Sequence, residues 1–161
     1  MAIYMKYGDI KGTVDTEGFK DWVELGSLQM GAGRGIGSAR GAGANREGSE
    51  PSISEITVTK TWDAASSSKF FEESVAGLLD REVEIKMTST SKNKQDTFMV
   101  IKLWNCGISG YSLSSGGEKP SESLSLNFSK IEVTPKKFDA KLNPTDGEKV
   151  SFDLEKMQAN A

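Results

Sequence analysis

Alternation of polar and apolar residues is the feature of this sequence that most constrains its fold. It is cleanest between Ile53 and Trp62, where threonines recur at every second position. Side chains of a β-strand point alternately to its two faces, so the two sets separate onto two surfaces. One set is Glu55, Thr57, Thr59 and Thr61, and the other is Ile56, Val58, Lys60 and Trp62. This stretch is therefore predicted to be a half-buried strand.

Similar patterns predict further strands along the chain. In the stretch Trp22–Met30 we expect Gly26, Leu28 and Met30 to share the face that packs into the core. In the last long one, the apolar residues change parity near Ser129, which predicts a bulge or corner that lets one strand serve two sheets. The further stretches are Ile3–Tyr7, Trp22–Met30, Arg81–Thr90, Asp96–Trp104, Gly107–Leu113, Ser121–Thr134 and Val150–Leu154.

One segment has the spacing of a helix. Asp63 can cap a helix over about residues 64–76, and Gly77 is a plausible stop. A stripe of apolar residues recurs at helical spacing, and because the helix is short, we expect the stripe to pack against a sheet. The stripe consists of Phe71, Val75, Leu78 and Leu79.

About eight strands and one helix predict an all-β fold, a two-sheet barrel or sandwich with one short helix and a long glycine-rich loop. The chain has 161 residues, enough for one domain with a core, and shows neither an internal repeat nor a shift in composition. We therefore expect a single domain over 1–161, with the extended loop at about 37–51.

The stretch from Gly31 to Pro51, which we call the arm, lacks the chemistry of a helix or a strand. Six of its glycines fall between Gly31 and Gly43, and it holds three of the chain's four arginines, Arg34, Arg40 and Arg46. Two interpretations are open. The arm is a mobile surface loop, or it leaves the domain and is ordered by a partner that the arginine forks bind.

Catalytic chemistry finds little support in the composition. The absence of histidine excludes Ser-His-Asp and Cys-His catalysis and every histidine metal site. Cys106 is the only cysteine and has no activating base beside it, so we expect a buried structural thiol. Acidic residues at 72, 73, 82 and 84 are expected on solvated surfaces. We therefore predict no enzyme, no cofactor and no metal.

Nucleotide, nucleic-acid and membrane binding are also disfavoured. In GAGRGIG, Ile36 takes the place of the third glycine of a dinucleotide motif, and no helix pattern follows. The net charge is −3, and the arm has no aromatic residue on which bases could stack. The first twenty residues are repeatedly charged, and no apolar run approaches membrane length, so we expect cytosolic synthesis without a cleaved signal and no membrane insertion.

Three blocks of sequence, taken together, resemble one known family. They are MAIYMKYGDIKGTV at the start, ISEITVTKTWDAAS where a strand runs into the helix, and SGGEKPSESLSLNFSKIEVTP in the last long strand. These blocks resemble the haemolysin-coregulated protein (Hcp) family, the tube component of bacterial type VI secretion systems. The glycine-rich arm also sits where that family carries an extended loop.

The resemblance implies a two-sheet β-barrel with one helix and a ring of six identical subunits. The rings would stack into a hollow tube, which is surrounded by a contractile sheath, carries a spike protein at its tip and is propelled out of the cell. Small effector proteins would be held in the lumen, and the protein would be secreted into the medium or a target cell.

The resemblance also implies two sets of functional residues. A ring-stacking loop would contain Arg34, Arg40, Arg46, Gly41 and Gly43. The strand before the arm would line the lumen, with Ser27 or Gln29 contacting effectors. Other members often carry serine and tryptophan there, whereas this chain has Gln29 between Leu28 and Met30. Solvated positions on an ordinary strand are the alternative interpretation of Ser27 and Gln29.

Two other functions stay open on sequence alone. The chain could be a monomeric β-barrel binding module whose arm closes over a peptide or a glycan. It could also be a hydrolase that uses lone carboxylates at Glu72, Glu82 or Glu84, which would require an acidic cleft.

Overall fold

The structure, a computed structural model, describes residues 1–38, 47–91 and 94–160. Within these ranges the chain forms thirteen strands and one helix. The elements are β1 (Ala2–Tyr7), β2 (Val23–Leu25), β3 (Ser27–Gln29), β4 (Ala32–Gly33), β5 (Ser52–Ile53), β6 (Ile56–Thr61), α1 (Ser67–Ala76), β7 (Arg81–Ser91), β8 (Lys94–Ser114), β9 (Ser121–Asn127), β10 (Lys130–Phe138), β11 (Pro144–Asp146), β12 (Val150–Asp153) and β13 (Gln158–Ala159).

The strands form two layers that share the long strand β8. The first layer has the order β13-β12-β10-β8-β7-β1-β2, with β11 also on β10, and the second has the order β3-β6-β9-β8. Strands β4 and β5 form a separate two-stranded ribbon. The predicted all-β sandwich with one short helix is confirmed, but the layers do not close into a barrel. The described strands are more numerous than the eight predicted, although β8, with 21 residues, joins two of the predicted strands into one.

The chain passes between the layers at two places in its second half. Strand β9 ends at Asn127 in the second layer and β10 begins at Lys130 in the first, so the corner predicted near Ser129 is present. Strand β8 passes between the layers without a break, although the sequence predicted two strands there. Asn105, with a φ of 51°, lies where β8 leaves one layer for the other. Asparagine tolerates this left-handed conformation better than most residues.

The stretch from Trp22 to Met30 also changes layer, at Gly26. Strand β2 pairs with β1 in the first layer, whereas β3 pairs with β6 in the second. The change reverses which side chains are buried, so that Val23 and Leu25 lie in the core and Met30 is 40% exposed. The prediction that the side of Gly26, Leu28 and Met30 faces the core holds for Leu28, which packs against the core, and is wrong for Met30 and for Leu25, which was expected on the opposite face and is buried.

The predicted apolar stripe of the helix is also wrong. Phe71, Val75, Leu78 and Leu79 are 54–73% exposed. Phe70, one position earlier, is fully buried instead, with its ring edge-on to Tyr7 at 5.6 Å. Ser66 and Ser67 are also buried at this end of α1, where their side chains are hydrogen-bonded. The helix thus turns its polar first turn and one phenylalanine inward.

The helix begins three residues later than predicted. Asp63 caps the turn that precedes it, since its Oδ1 accepts the N–H groups of Ala65 (3.0 Å) and Ser66 (2.7 Å). The backbone N–H of Asp63 donates to Ser67 Oγ at 2.9 Å, which binds the turn to the first residue of α1. This reciprocal arrangement satisfies donors that a helix start leaves unpaired.

The core lies between the two layers and is closed at one side by α1. Its fully buried members come from strands of both layers and include Met5, Ile85 and Ile101 from the first and Ile56 and Leu124 from the second. Their inward direction leaves the alternate positions of each strand on an outward face. The two outward faces, one on each layer, are therefore the broad surfaces available to partners.

Candidate functional site

Small uncharged polar side chains line the outward face of the second layer, which we call the hydroxyl face. Strand β3 contributes Ser27 and Gln29, which are both exposed, as predicted for the solvated side of that strand. Glu55, just before β6, is the one charged residue at the outward positions of these four described strands. The other positions are Thr57, Thr59, Thr61, Ser109, Ser112, Ser114, Ser121, Ser123, Ser125 and Asn127.

Strand register aligns the hydroxyls of this face into rows. Ser27 of β3 pairs with Thr59 of β6, Thr59 pairs with Ser123 of β9, and Ser123 pairs with Ser112 of β8. One row therefore crosses all four strands. Ser27 Oγ and Thr59 Oγ1 are hydrogen-bonded at 2.6 Å. A hydroxyl both donates and accepts, so such a surface offers hydrogen bonds without formal charge.

The hydroxyl face ends at two open strand edges. Strand β3 pairs with β6 and with no other strand of the described chain. The second half of β8, from Gly107 to Ser114, pairs with β9 alone among the strands that the structure defines. Edge strands present unpaired N–H and C=O groups, which readily pair with another chain.

The described part of the arm forms a narrow antiparallel ribbon that starts at the end of β3. Its base is β4 with β5, and an isolated bridge joins Ile36 to Gly48 further out. Ser49 reinforces the ribbon, since its Oγ accepts the N–H of Gly35 at 2.7 Å. Residues 31–38 and 47–50 are exposed, and they include Arg34. The predicted stacking residues Arg40, Gly41, Gly43 and Arg46 lie outside the described residues.

A group of exposed apolar residues, which we call the helix patch, lies on and after α1 and at the β8 edge. Phe71 of α1 packs edge-on against Tyr111 of β8, with ring centres 5.6 Å apart. Leu79 reaches back over Gly107, where an added Cβ would lie 2.3 Å from Leu79 Cδ2. The patch consists of Phe71, Val75, Leu78, Leu79 and Leu113, which are 49–73% exposed. Exposed apolar surface of this kind marks interaction sites on soluble proteins.

The outward face of the first layer differs sharply from the hydroxyl face because it is charged. Lys6 lies opposite Glu84, Glu84 opposite Lys102, and Lys102 opposite Glu132. These four residues, from β1, β7, β8 and β10, form a row of alternating sign that we call the charge ladder. Opposite charges on neighbouring strands attract one another and keep this face hydrated.

The residues considered for catalysis do not come together. Burial raises the pKa of the Cys106 thiol to about 12, which disfavours the thiolate. Glu73 was expected on a solvated surface, but its carboxylate is only 12% exposed and binds Arg81 at 2.7 Å. Glu84 pairs with Lys86 at 3.2 Å.

The described residues contain no cluster of acidic, cysteine or histidine side chains that could hold a metal ion. No helix in these ranges is long and apolar enough to cross a bilayer.

Comparison with known proteins identifies a family. The family model described as type VI secretion system effector, Hcp, matches residues 4–134. Among curated proteins, none matches the chain.

Solved structures share the fold at low sequence identity. A protein titled as a type six secretion system protein is 18% identical, has a TM-score of 0.87 and is matched over 99% of both chains. Hcp1 from Salmonella typhimurium is 15% identical, with a TM-score of 0.71 and 99% of both chains matched. The cap that terminates the anti-feeding prophage tube is 10% identical, with a TM-score of 0.57 over 83% of this chain and 87% of that one.

Proposed function

The chain belongs to the family of the type VI secretion system effector Hcp, and we propose that it is a structural, secreted subunit of that system's tube. In this proposal six copies form a ring, the rings stack into a hollow tube, and small effector proteins travel inside it. The family match supports a place in the secretion system, and the tube cap among the similar folds supports an assembly of this shape. The ring contact, the lumen wall and the outer surface of the tube are proposed from the two layers of this fold.

The observation that carries the proposal is that the hydroxyl face is a four-stranded sheet with two open edges. In the ring, β3 of one copy pairs with the second half of β8 in the next copy. Repetition around six copies joins these sheets into one cylinder, and closure removes both open edges of the hydroxyl face. Each subunit uses two different surfaces, as a closed ring with rotational symmetry requires.

The helix patch provides apolar surface for the same contact. It borders the β8 edge, whereas Met30 and Ile36 expose apolar surface on the β3 side, at 40% and 53%. Burial of these two surfaces against each other removes apolar area from water, which is the main favourable term in association. A stable contact of this kind buries about 800 Å² on each partner.

The hydroxyl face then lines the lumen, where Ser27 and Gln29 contact effector proteins. A neutral, hydrogen-bonding wall suits cargo of varied sequence, because it neither repels nor traps charged proteins. The charge ladder faces outward, toward the contractile sheath that surrounds the tube. The spike protein occupies the tube's end.

The arm makes the contact between stacked rings. Arg34, Arg40 and Arg46 pair with acidic or carbonyl groups of the next ring, since guanidinium groups make several directed hydrogen bonds at interfaces. Gly41 and Gly43 let the backbone approach the neighbour closely. We propose no enzymatic activity and no cofactor for this assembly.

The native mass of the purified protein, measured by light scattering and paired with negative-stain imaging, tests the proposal. We expect six times the mass of one chain and ring-shaped particles. A protein that stays monomeric at all salt and protein concentrations would contradict the proposal. It would favour instead a monomeric binding module whose arm closes over a peptide or a glycan.

A further inference from the structure

Glu55 breaks the neutrality of the hydroxyl face. We propose that this carboxylate binds cationic segments of the cargo and gives the lumen a preference for positively charged proteins. The inference rests on the proposed function, because it needs the hydroxyl face to line a channel. It adds a chemical class of cargo that the neutral wall alone does not select.

Two hydrogen bonds hold the carboxylate in place. Ser109 Oγ donates to Glu55 Oε2 at 2.5 Å, and Asn127 Nδ2 donates to Glu55 Oε1 at 3.2 Å. The donors come from β8 and β9, while Glu55 itself leads into β6, so three neighbouring strands fix the group. A charged group held in one orientation loses less entropy when it binds a partner.

A β-bulge brings Ser109 to this position. The register between β8 and β9 shifts between Ile108 and Gly110, which leaves Ser109 as the extra residue. Ile108 is buried, whereas Ser109 is exposed and reaches Glu55. Bulges re-aim single side chains and are frequent beside functional sites.

The charge of Glu55 is not neutralised within the described residues. Its carboxylate accepts hydrogen bonds from a hydroxyl and an amide, and no lysine or arginine of these ranges has its charged group within 4.0 Å of it. On the charge ladder, by contrast, each of Glu84 and Glu132 faces Lys102. The chain is 27% charged, yet the hydroxyl face carries this one charge at the arm end of its strands.

Six-fold repetition makes a single weak contact effective. One exposed carboxylate attracts a cation only slightly in water. In the ring, six copies of Glu55 encircle the lumen at one level, and a concave wall that carries charge of one sign raises the local concentration of the opposite charge. A cargo segment with several lysines engages more than one copy at a time, which multiplies the affinity.

The test compares a fluorescent lysine-rich peptide with a glutamate-rich peptide of equal length, by anisotropy, on assembled wild-type protein at low salt. We expect the lysine-rich peptide to bind about tenfold more tightly, and the preference to fall as salt is added. The variant Glu55→Gln keeps the size of the side chain and one acceptor oxygen. We expect its affinities for the two peptides to differ by less than about twofold. The matched control is Glu148→Gln, an exposed carboxylate between β11 and β12, beside the first layer and away from the hydroxyl face, which should leave the preference unchanged.

Native mass is measured on every sample, so the two proposals fail separately. Wild-type protein without rings would contradict the proposed function. Rings of Glu55→Gln that bind the two peptides as wild-type rings do would overturn this inference. Loss of rings or of ring stacking in Glu55→Gln would also overturn it, since Glu55 would then be an assembly contact.

Discussion

Lys60 and Glu122 form an ion pair that is closed off from solvent. Lys60 Nζ lies 2.8 Å from Glu122 Oε2, and the side chains are 1% and 0% exposed. Their strands, β6 and β9, place the two residues directly opposite each other. Tyr111 donates to the other carboxylate oxygen at 3.0 Å, and Lys60 also donates to Ser67 Oγ of α1 at 3.1 Å. The network ties the helix to the back of the hydroxyl face.

Removal of one partner of this pair should destabilise the protein strongly. Lys60→Met leaves Glu122 buried without a cation, and we expect the free energy of unfolding to fall by about 3–5 kcal/mol. The double variant Lys60→Met with Glu122→Leu should recover part of this loss, because the fully buried carboxylate is removed, whereas Asp63, 17% exposed and 3.1 Å from Lys60 Nζ, still loses its cation. Urea unfolding at one protein concentration measures the effect, since assembly also contributes to stability.

The matched control for this prediction is the exposed pair of Lys69 and Glu72, whose side chains are 62% and 66% exposed. Lys69→Met should change the free energy of unfolding by less than about 1 kcal/mol. A double variant at positions 60 and 122 that is as unstable as Lys60→Met alone would contradict the explanation.

Local patterns in the sequence predicted the strands well but could not predict which layer each one joins. The alternation of Ile53–Trp62 identified β6, and its inward set included Lys60, which is buried as the parity required. Its partner Glu122 is 62 residues away, so nothing local indicated that the charge is neutralised. Likewise, the passage of β8 through both layers depends on pairings with distant strands.

The helix shows why periodicity alone was insufficient. Phe71, Val75 and Leu78 recur at helical spacing, and in an isolated helix they would be the face to bury. The buried hydrogen bonds of Ser66 and Ser67 turn a different face inward. In the proposed ring, the exposed stripe would contact the neighbouring subunit.

For the candidate site, the sequence predicted the exposure of two residues but not the surface to which they belong. Ser27 and Gln29 were placed on the solvated side of their strand, as found. The rows of hydroxyls arise only when four strands from distant parts of the chain align in register. The bulge that brings Ser109 to Glu55 has no signal in the sequence beyond the glycine that follows it.

Acid should loosen the start of the helix through Asp63. Burial raises the pKa of this carboxyl, but hydrogen bonds from Ser66 and Lys60 outweigh burial and hold the pKa below its ordinary value of 3.8. A lowered pKa contributes stability that is complete above pH 3.8 and is lost as pH falls through the folded-state value. Melting temperature measured from pH 6 to pH 2 should fall less steeply in Asp63→Asn than in the wild type. Asp80→Asn, at a carboxyl 63% exposed, is the control, and equal slopes for wild type and Asp63→Asn would contradict the prediction.

A charge placed in the helix patch should prevent ring formation without unfolding the subunit. Val75 is 69% exposed, so Val75→Glu costs little in the monomer, whereas in the ring it would bury an unpaired carboxylate. Light scattering should find monomers, and circular dichroism should find the wild-type spectrum. Gly116→Glu adds the same charge in an open turn, where a Cβ meets nothing within 4 Å, and should still form rings. Normal rings from Val75→Glu would place the patch outside the subunit contact.

The thiol of Cys106 should report opening of the core. It is fully buried, and because burial raises its pKa to about 12, little thiolate is available at pH 8. We expect Ellman's reagent to react slowly with the folded protein and rapidly in urea. The comparison is Ser115→Cys combined with Cys106→Ala, which exposes one thiol in a turn and should react rapidly in both conditions. Equal rates for the two folded proteins would show that the core at Cys106 is open to solvent.

Loss of the arm arginines should separate the rings from one another while leaving each ring whole. Arg34→Ala, Arg40→Ala and Arg46→Ala together remove three guanidinium groups from a segment whose described residues are exposed and lie outside the core. We therefore expect the native mass of single rings, short or absent stacks in electron micrographs, and an unchanged melting temperature. The matched control replaces three exposed lysines outside the arm, Lys119, Lys137 and Lys141, with alanine and should stack normally. A marked drop in melting temperature would contradict the prediction, because it would mean that the arm packs into its own subunit.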